Sequence, residues 1–583
     1  MKKDQKARRE LEYLEKQFPV IKRDVKASKS GKLWRHETVI RKKIKALREL
    51  RGDHLKGYGQ VYDGYVELLG EVSERLLENY NQANATAYGF SEVVQGRFRA
   101  YLNSGIISVL VTHHIPKMVA AEFNRLLPEN PKDGYPEARG MKRRFVLHLG
   151  ETNTGKTYSA LQCLKQSESG VYLAPLRILA LENFERLNSQ GVPCSLVTGE
   201  EEILVEGARH SSRTVEKAEL LSGCRVAVID EVQMLRDPQR GDAWTRAILG
   251  LCCPEIHLCG AMHAREQLVR MIQDCGDDFE ILEYTRSAPL QIKKAPVRLS
   301  DVRKGDALVA FSKRRVLSLS RYYSANGIPN SVIYGDLPPE VRRGQYEAFI
   351  GGESQILVAT DAIGMGVNLP IRRIVFTETS KFDGEMFRPL FPHEVKQIAG
   401  RAGRIGIYDV GYVACMGDDV AFIKNCLQVR DEEIDRAVVG PSEEIMDIGL
   451  LPLKEKLALW ETREETVSHY RKKDIRDAIL ILDRLKAYRL PEKTQWRLMQ
   501  LPFDVNSEEL LAQFIRYVEE RFVLKAEGLS RPDLSARSLP AYEQYYQKVG
   551  LYYSFSKSLG LPFDEQWVYD TRKQISEEIS RLL

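Results

Sequence analysis

Residues 145 to 161 read FVLHLGETNTGKTYSAL, and this stretch decides the fold. An apolar run, Phe145 to Leu149, leads into GETNTGKT, Gly150 to Thr157, and a helix-compatible run follows from Lys156. The spacing G-x-x-x-x-G-K-[ST] between a strand and a helix predicts a phosphate-binding loop. In such a turn the glycines, Gly150 and Gly155, let the backbone approach a polyphosphate. The N–H groups around Thr152, Asn153 and Thr154, with the helix N-terminus, then face its oxygens. Lys156 reaches the β- and γ-phosphates, and Thr157 offers a hydroxyl to Mg²⁺.

Outward from the loop, short apolar runs alternate with helical stretches: RFVLHLG, VYLAP, SLVTG, RVAVID and EIHLCGA. Alternation of this kind predicts a parallel sheet covered by helices on both faces. A second series, DALVAFS, NSVIYG, QILVATD, RRIVFTE and GYVACMG, starts after the Pro-containing linker SAPLQIKKAPVRLS. The expected organisation is therefore α/β: two tandem parallel-sheet domains, 141–290 and 291–437, flanked by helical regions 1–140 and 438–583. The first flank shows apolar side chains at three- and four-residue spacing in GQVYDGYVELLGEVSERLLENY, and PENPKDGYPEARG separates it from the first sheet. The second follows Gly440 and Pro441, with HYRKKDIRDAILILDRLKAY as an amphipathic example.

A phosphate loop needs a carboxylate to order a metal ion and a group to position water, and RVAVIDEVQM supplies both. Asp230 is expected to hold Mg²⁺ through its water shell, and Glu231 to orient or deprotonate the attacking water. In the second series, HEVKQIAGRAGRIG carries Arg401 and Arg404 three positions apart on an expected helix, where both face one way. Their planar, permanently charged guanidinium groups suit a transferring phosphoryl group. Two sheets that share one catalytic centre form a cleft that closes and opens with hydrolysis. A kinase or small GTPase does not need the second sheet, and no Asn-Lys-x-Asp guanine-reading motif occurs, so the expected nucleotide is ATP.

The net charge of +5 hides an asymmetry: residues 1–60 hold 19 Lys/Arg against 8 Asp/Glu, +11, which leaves −6 for the rest. A basic end attracts a polyanion, although a solvated helical face explains it equally well. No apolar run approaches the ~18 residues of a membrane span, so no membrane partner is expected. The nine cysteines lack paired spacing, and both the Cys252–His263 cluster and the His113–His114 pair read as something other than metal sites. Without a signal or transit pattern at the start, the expected location is cytoplasmic.

In motif order, the chain resembles superfamily 2 helicases, and among them the mitochondrial degradosome RNA helicase family with its bacterial relatives. GETNTGKT is similar to motif I, APLRILALE (174–182) to motif Ia, and VIDEVQMLRDPQRGDAWTRAILGL to an extended motif II, with Gln233 as the fourth residue of its DEVQ. RTVE (213–216), ALVAFSKR (307–314), ILVATDAIGMGVNLPI (356–371) and QIAGRAGR (397–404) continue the series. The resemblance implies two RecA-like domains. It also implies nucleic-acid contacts by Arg177, Thr198 and Thr214 on the first and by Ser312, Thr360 and Asn368 on the second. Gly364 and Gly366 fall in motif V beside the nucleotide, and Gln397 in motif VI faces ATP. One departure is Ala261 in HLCGAMHA, where family members often carry Glu.

The resemblance implies an ATP-dependent RNA helicase that steps 3′ to 5′ on single-stranded or partly duplex RNA and serves RNA turnover with an exoribonuclease. TETSKFDGEMFRPLFPHE offers Phe382, Phe387 and Phe391 as a strand-parting wedge or as local packing. An RNA clamp whose ATP cycle changes only its grip, and a DNA helicase with the same motor, remain alternatives, because a backbone-tracking motor makes few contacts to the 2′-hydroxyl. The tyrosine-rich YEQYYQKVGLYYSF is read as core at helical spacing.

Overall fold

The computed structural model describes residues 2–50, 54–84, 87–113, 126–286, 288–364, 369–383, 386–403, 406–417, 419–448 and 451–583. His114, Gly366, Asn368 and Arg404 lie outside them. The chain divides into two units: 1–128 with 441–466, and 129–440 with 467–583.

The first unit is helical, with long helices Lys2–Ala27, Leu33–Leu50 and Tyr58–Asn84 around Leu14, Ile40, Ile44, Tyr65, Leu69 and Val72. Its other segment contributes the helix Leu453–Thr462. Ser108 donates to Glu461 at 3.2 Å, the hydroxyls of Thr112 and Thr462 meet at 2.9 Å, and Arg463 donates to the Leu127 carbonyl at 2.8 Å. The expected helical region 438–583 is therefore divided, because the helix Leu453–Thr462 packs against the N-terminal helices Phe98–Ser104 and Ile106–His113.

In the second unit the first sheet comprises β1 Arg144–Gly150, β2 Gly170–Ala174, β3 Cys194–Val197, β4 Glu202–Ile203, β5 His210–Thr214, β6 Val226–Ile229, β7 Glu255–Gly260 and β8 Asp278–Tyr284. Their order is β4-β3-β5-β2-β6-β7-β1-β8, parallel throughout except β3–β4. β1, β2, β6 and β7 are almost wholly buried, which is why they read as continuous apolar runs. Trp244, Ile248 and Leu268 cover one face, and Leu161, Leu164 and Leu187 the other. Of the stretch expected as a separator, 128–140, residues 129–140 belong with this domain: Arg139 donates to the carbonyls of Leu249 and Cys275 at 2.9 Å each.

The second sheet comprises β9 Leu290–Ile292, β10 Asp306–Val309, β11 Asn330–Ile333, β12 Ile356–Ala359, β13 Arg373–Phe376 and, later in the chain, Gly411–Cys415. Between these last two, Ser380–Phe382 (β14) and Phe387–Pro389 (β15) form an antiparallel hairpin, which makes Gly411–Cys415 β16. The sheet order is β11-β12-β10-β13-β16-β9, all parallel. β9 begins in the segment expected as linker. The C-terminal helices share a core with this sheet, joining Val316, Leu319 and Tyr323 to Phe514, Tyr552 and Phe555. Two RecA-like parallel-sheet domains thus stand in tandem. A two-strand piece, Ala437–Val439 with Tyr470–Lys472, replaces the start of the helix expected at 469, which begins instead at Arg476. Among the described residues no helix is long and apolar enough to cross a membrane.

Candidate functional site

At the end of β1 the chain turns through Asn153 (φ 65°) and Gly155 (φ 84°) into the helix Lys156–Gln166. Only glycine fits position 150, since a Cβ there would stand 2.1 Å from the Tyr284 carbonyl oxygen. Gly155 precedes the helix without a side-chain cap, so the first-turn N–H groups are left for an anion. Thr154 donates to the Glu151 carbonyl at 3.0 Å and holds the turn. The Lys156 ammonium donates to the carbonyls of Gly150, at 3.0 Å, and Glu151. Burial pushes its pKa down, against the charges of Glu231 and Asp230.

Those carboxylates follow β6. Asp230 is buried and accepts from Thr157 at 3.1 Å on Oδ1 and from Tyr172 at 2.9 Å on Oδ2. Burial, with the neighbouring Glu231 charge, pushes its carboxyl up to about 6. Glu231 sits in the left-handed region, φ 51° and ψ 48°, a costly conformation for this residue that turns its side chain away from the strand line. Gln233 donates to the Glu231 carboxylate, and its own carbonyl accepts from the Ala261 N–H at 3.1 Å. The hydroxyl of Thr157 and the carboxylate of Asp230, with that of Glu231 beside it, form a hard, all-oxygen donor set, which fits Mg²⁺.

From the second sheet, the turn after the helix Pro392–Ala399 approaches the loop. Asn153 donates to the Gly403 carbonyl at 2.8 Å, and a Cβ at Gly400 would stand 2.7 Å from the Cβ of Thr152. Arg401 donates to the Gly364 carbonyl from Nε at 3.1 Å and Nη2 at 2.6 Å, and Gln397 lines the same spot. The expected helical placement does not hold for Arg401, and Arg404 lies outside the described residues. The helix ends at Gly400, and Gly403 has φ 77° where a Cβ would stand 2.8 Å from the Gly411 backbone. Arg401 therefore stands on a tight turn, and its direction is set by tertiary contacts.

The residues expected on nucleic acid are differently disposed. Arg177, at the start of the helix Arg177–Ser189, pairs with Glu200 at 2.9 Å, Glu201 at 3.0 Å and Glu340 at 2.9 Å, and donates to the Tyr546 hydroxyl at 3.0 Å. It is held by carboxylates rather than presented on an open face. Thr198 accepts from the N–H groups of Glu200 and Glu201 at 3.3 and 3.0 Å, a turn that places both acids against Arg177. Thr214 ends β5 in a buried position. Ser312 caps the helix Lys313–Ala325, and Thr360 accepts from the Ala362 N–H at 3.3 Å. The hairpin stands out, with Phe382 and Phe387 51% and 73% exposed and Phe391, just beyond it at the start of the next helix, 48% exposed. Its base is fixed by Glu394, which pairs with Lys381 and Arg388 at 2.8 Å each.

Residues 131–284 match the family model described as the DEXQ-box helicase domain of Suv3, and residues 291–406 match the helicase conserved C-terminal domain. The Arabidopsis thaliana protein named DExH-box ATP-dependent RNA helicase DExH16, mitochondrial, is 37% identical over 465 residues, covering 76% of this chain and 81% of that protein. The chain belongs to the Suv3-type family of ATP-dependent RNA helicases. Human ATP-dependent RNA helicase SUPV3L1, mitochondrial, is 42% identical across 54% of this chain and 42% of the human protein, so the match spans less than half of that relative. A solved structure of S. cerevisiae Dbp5 bound to RNA and ADP BeF3 is 17% identical, covers 65% of this chain and all of its own, and has a TM-score of 0.40, a likeness that carries no argument. In the Suv3-type DEXQ box, Asp230, Glu231, Val232 and Gln233 are the four residues here.

Both relatives are named as mitochondrial, which overturns the cytoplasmic location expected from the sequence. Composition and free thiols do not separate one reducing compartment from another. Sequence reasoning also missed Arg286, whose guanidinium reaches the motif VI turn, and the partners of Arg177. Neither carries a local signal: Arg286 lies in a Pro-containing connection, and Tyr546 was read only as core.

Proposed function

We propose that this Suv3-type helicase hydrolyses ATP to step 3′ to 5′ along single-stranded RNA and to separate the duplex ahead of it. The observation that carries the reading is the convergence of three elements. The phosphate loop is hydrogen-bonded to Asp230 through Thr157, and the motif VI turn of the second sheet is hydrogen-bonded to the same loop through Asn153. A site so divided changes the spacing of two domains as its ligand changes.

In this reading Gly150, Thr152, Asn153, Thr154 and Gly155 cradle the phosphates, and Lys156 leaves its carbonyl partners for the β- and γ-oxygens. Glu231, held by Gln233, orients the attacking water and takes its proton. Gln397, Arg401 and Arg404 face the γ-phosphate from the second domain and balance charge as the bond breaks. Gly364 and Gly366 sit between nucleotide and strand. Thr157 and Asp230 would hold Mg²⁺, which when bound would neutralise phosphate charge.

On the other face, strand phosphates compete with Glu200, Glu201 and Glu340 for Arg177, and Thr198, Thr214, Ser312, Thr360 and Asn368 complete a backbone track. The exposed hairpin phenylalanines part the duplex. RNA as substrate is supported by the names of the relatives. Direction, service in RNA turnover and an exoribonuclease partner rest on family resemblance.

Competition between matched RNA and DNA strands in one ATPase assay tests the substrate. RNA is expected to stimulate hydrolysis at lower concentration and to a higher rate; equal stimulation by DNA would refute the RNA assignment.

A further inference from the structure

Arg286 lies between β8 and β9, in the connection that joins the two sheets. Its guanidinium donates from Nε to the Ala288 carbonyl at 2.5 Å, from Nη1 to the Gly400 carbonyl at 2.7 Å, and from Nη2 to the carbonyls of Ala402 and, at 3.3 Å, Gly403. These acceptors are neutral. Burial lowers the Arg286 pKa, and Glu151 of the phosphate loop is the acid whose charge opposes that. The carbonyls of Gly400, Ala402 and Gly403 belong to the turn that follows the helix Pro392–Ala399, where carbonyls run out of partner N–H groups and a cation is favoured.

The Gly403 carbonyl also accepts from Asn153, so one oxygen of the motif VI turn is held from the phosphate loop and from the connection together. Two residues before Arg286, the Tyr284 carbonyl lies close against Gly150, the first glycine of the loop. The connection is thus wedged between the loop that cradles phosphate and the turn that carries Arg401 and leads to Arg404.

We propose that Arg286 is a positioning residue for hydrolysis. It holds the motif VI turn at the distance from the phosphate loop at which the turn's arginines meet the γ-phosphate, and so ties finger placement to the conformation of the interdomain connection. The inference rests on the reading of Arg401 and Arg404 as the cations that stabilise the transition state. An arginine is required because its planar fork reaches carbonyls on both sides of the turn at once, whereas a lysine ammonium is a single point. Arg286 need not touch ATP, so its loss acts on turnover and not on nucleotide binding.

The test is a double-mutant cycle on the whole chain, read by single-turnover ATP hydrolysis at saturating RNA, with ADP affinity and thermal melting measured on each variant. Arg286→Met is expected to slow hydrolysis roughly 10- to 100-fold, the scale of an ångström-sized misplacement of a catalytic group. ADP affinity stays within about threefold, under 1 kcal/mol, and Arg286→Lys recovers part of the rate. In a background that carries both Arg401→Ala and Arg404→Ala, Arg286→Met should cost little more, because the groups it positions are gone. Equal slowing in both backgrounds would overturn the inference, as would an Arg286→Met variant of normal rate. If Arg404→Ala alone leaves hydrolysis unchanged, the finger reading is wrong and this inference falls with it. Should Arg286→Met fail to fold, Arg286→Lys carries the same cycle with the same outcomes.

Discussion

The Asn153 amide donates to the Gly403 carbonyl at 2.8 Å across 250 positions of chain, which joins the phosphate loop of one sheet to the arginine-bearing turn of the other. Nucleotide chemistry is thereby a property of two domains, and substitutions on either side should separate binding from turnover. Lys156→Ala and Asp230→Ala are expected to abolish hydrolysis. Arg404→Ala is expected to slow it by roughly 10³-fold or more with ATP binding largely kept. Nucleotide affinity measured beside kcat decides the matter: an Arg404→Ala variant that no longer binds ATP contradicts a transition-state role.

Gln233 links the Glu231 carboxylate to the Ala261 N–H, so the second and third motifs are joined through backbone rather than through the side chain at 261. Gln233→Leu leaves the Glu231 carboxylate without this partner, and kcat is expected to fall about tenfold or more, part of the 10²–10⁴ that a positioned base supplies. Ala261→Glu is expected to change kcat by less than about threefold, roughly 0.6 kcal/mol of barrier. A large gain from Ala261→Glu would show that its side chain matters after all.

Arg177 faces Glu200, Glu201 and Glu340, and Glu340 belongs to the second sheet's helix Pro339–Ile350. Neutralising that acid leaves fewer carboxylates for an entering phosphate to displace. Glu340→Gln is expected to lower the RNA concentration for half-maximal ATPase by about threefold, in keeping with a partly exposed ion pair. Arg177→Gln is expected to raise it at least tenfold, as loss of a charged hydrogen bond of about 1.5–3 kcal/mol requires. An unchanged RNA requirement in Arg177→Gln would remove this residue from the nucleic-acid track.

Three histidines make stability depend on acid. His148 lies between the Tyr284 hydroxyl and the His257 ring at 2.8 Å each, and burial lowers its pKa to about 4. Burial likewise lowers His263 and His393 to about 4, with Arg236 reinforcing both. The unfolded chain takes up these protons near 6.5 and the folded chain only near 4. Their stabilisation is therefore fully present above about 6.5 and is lost as pH falls toward 4. Thermal melting across that interval should show Tm declining with acid, and His148→Asn should shrink the slope. A flat profile from pH 7 to 4.5 would contradict neutral burial.

How far the sequence reading reached depended on where each structural determinant lies along the chain. β1, β6 and β12 were legible because both faces are buried and their apolar runs are unbroken. β5, HSSRT, was not, since its polar side chains are covered by neighbouring strands and helices that no local pattern shows. β8, DFEILEY, was missed as an edge strand with mixed exposure. The phosphate loop and its acids were legible because their chemistry fixes residue type and spacing. The direction of Arg401 was not, because Gly400 and Gly403 end the helix through contacts with Thr152 and Gly411. Arg177 meets partners up to 369 positions away, which places its surroundings beyond any reading of the motif around it.

In the proposed function a cleft shared by two sheets turns ATP hydrolysis into movement on RNA. Strand displacement measures this most directly, with an RNA duplex bearing a 3′ single-stranded tail, ATP, and a trap strand. Free strand should accumulate with the wild-type chain on the 3′-tailed duplex, and should not form with Lys156→Ala or on a 5′-tailed duplex. Robust RNA-stimulated hydrolysis with no released strand would contradict the claim and leave a clamp in place of a helicase.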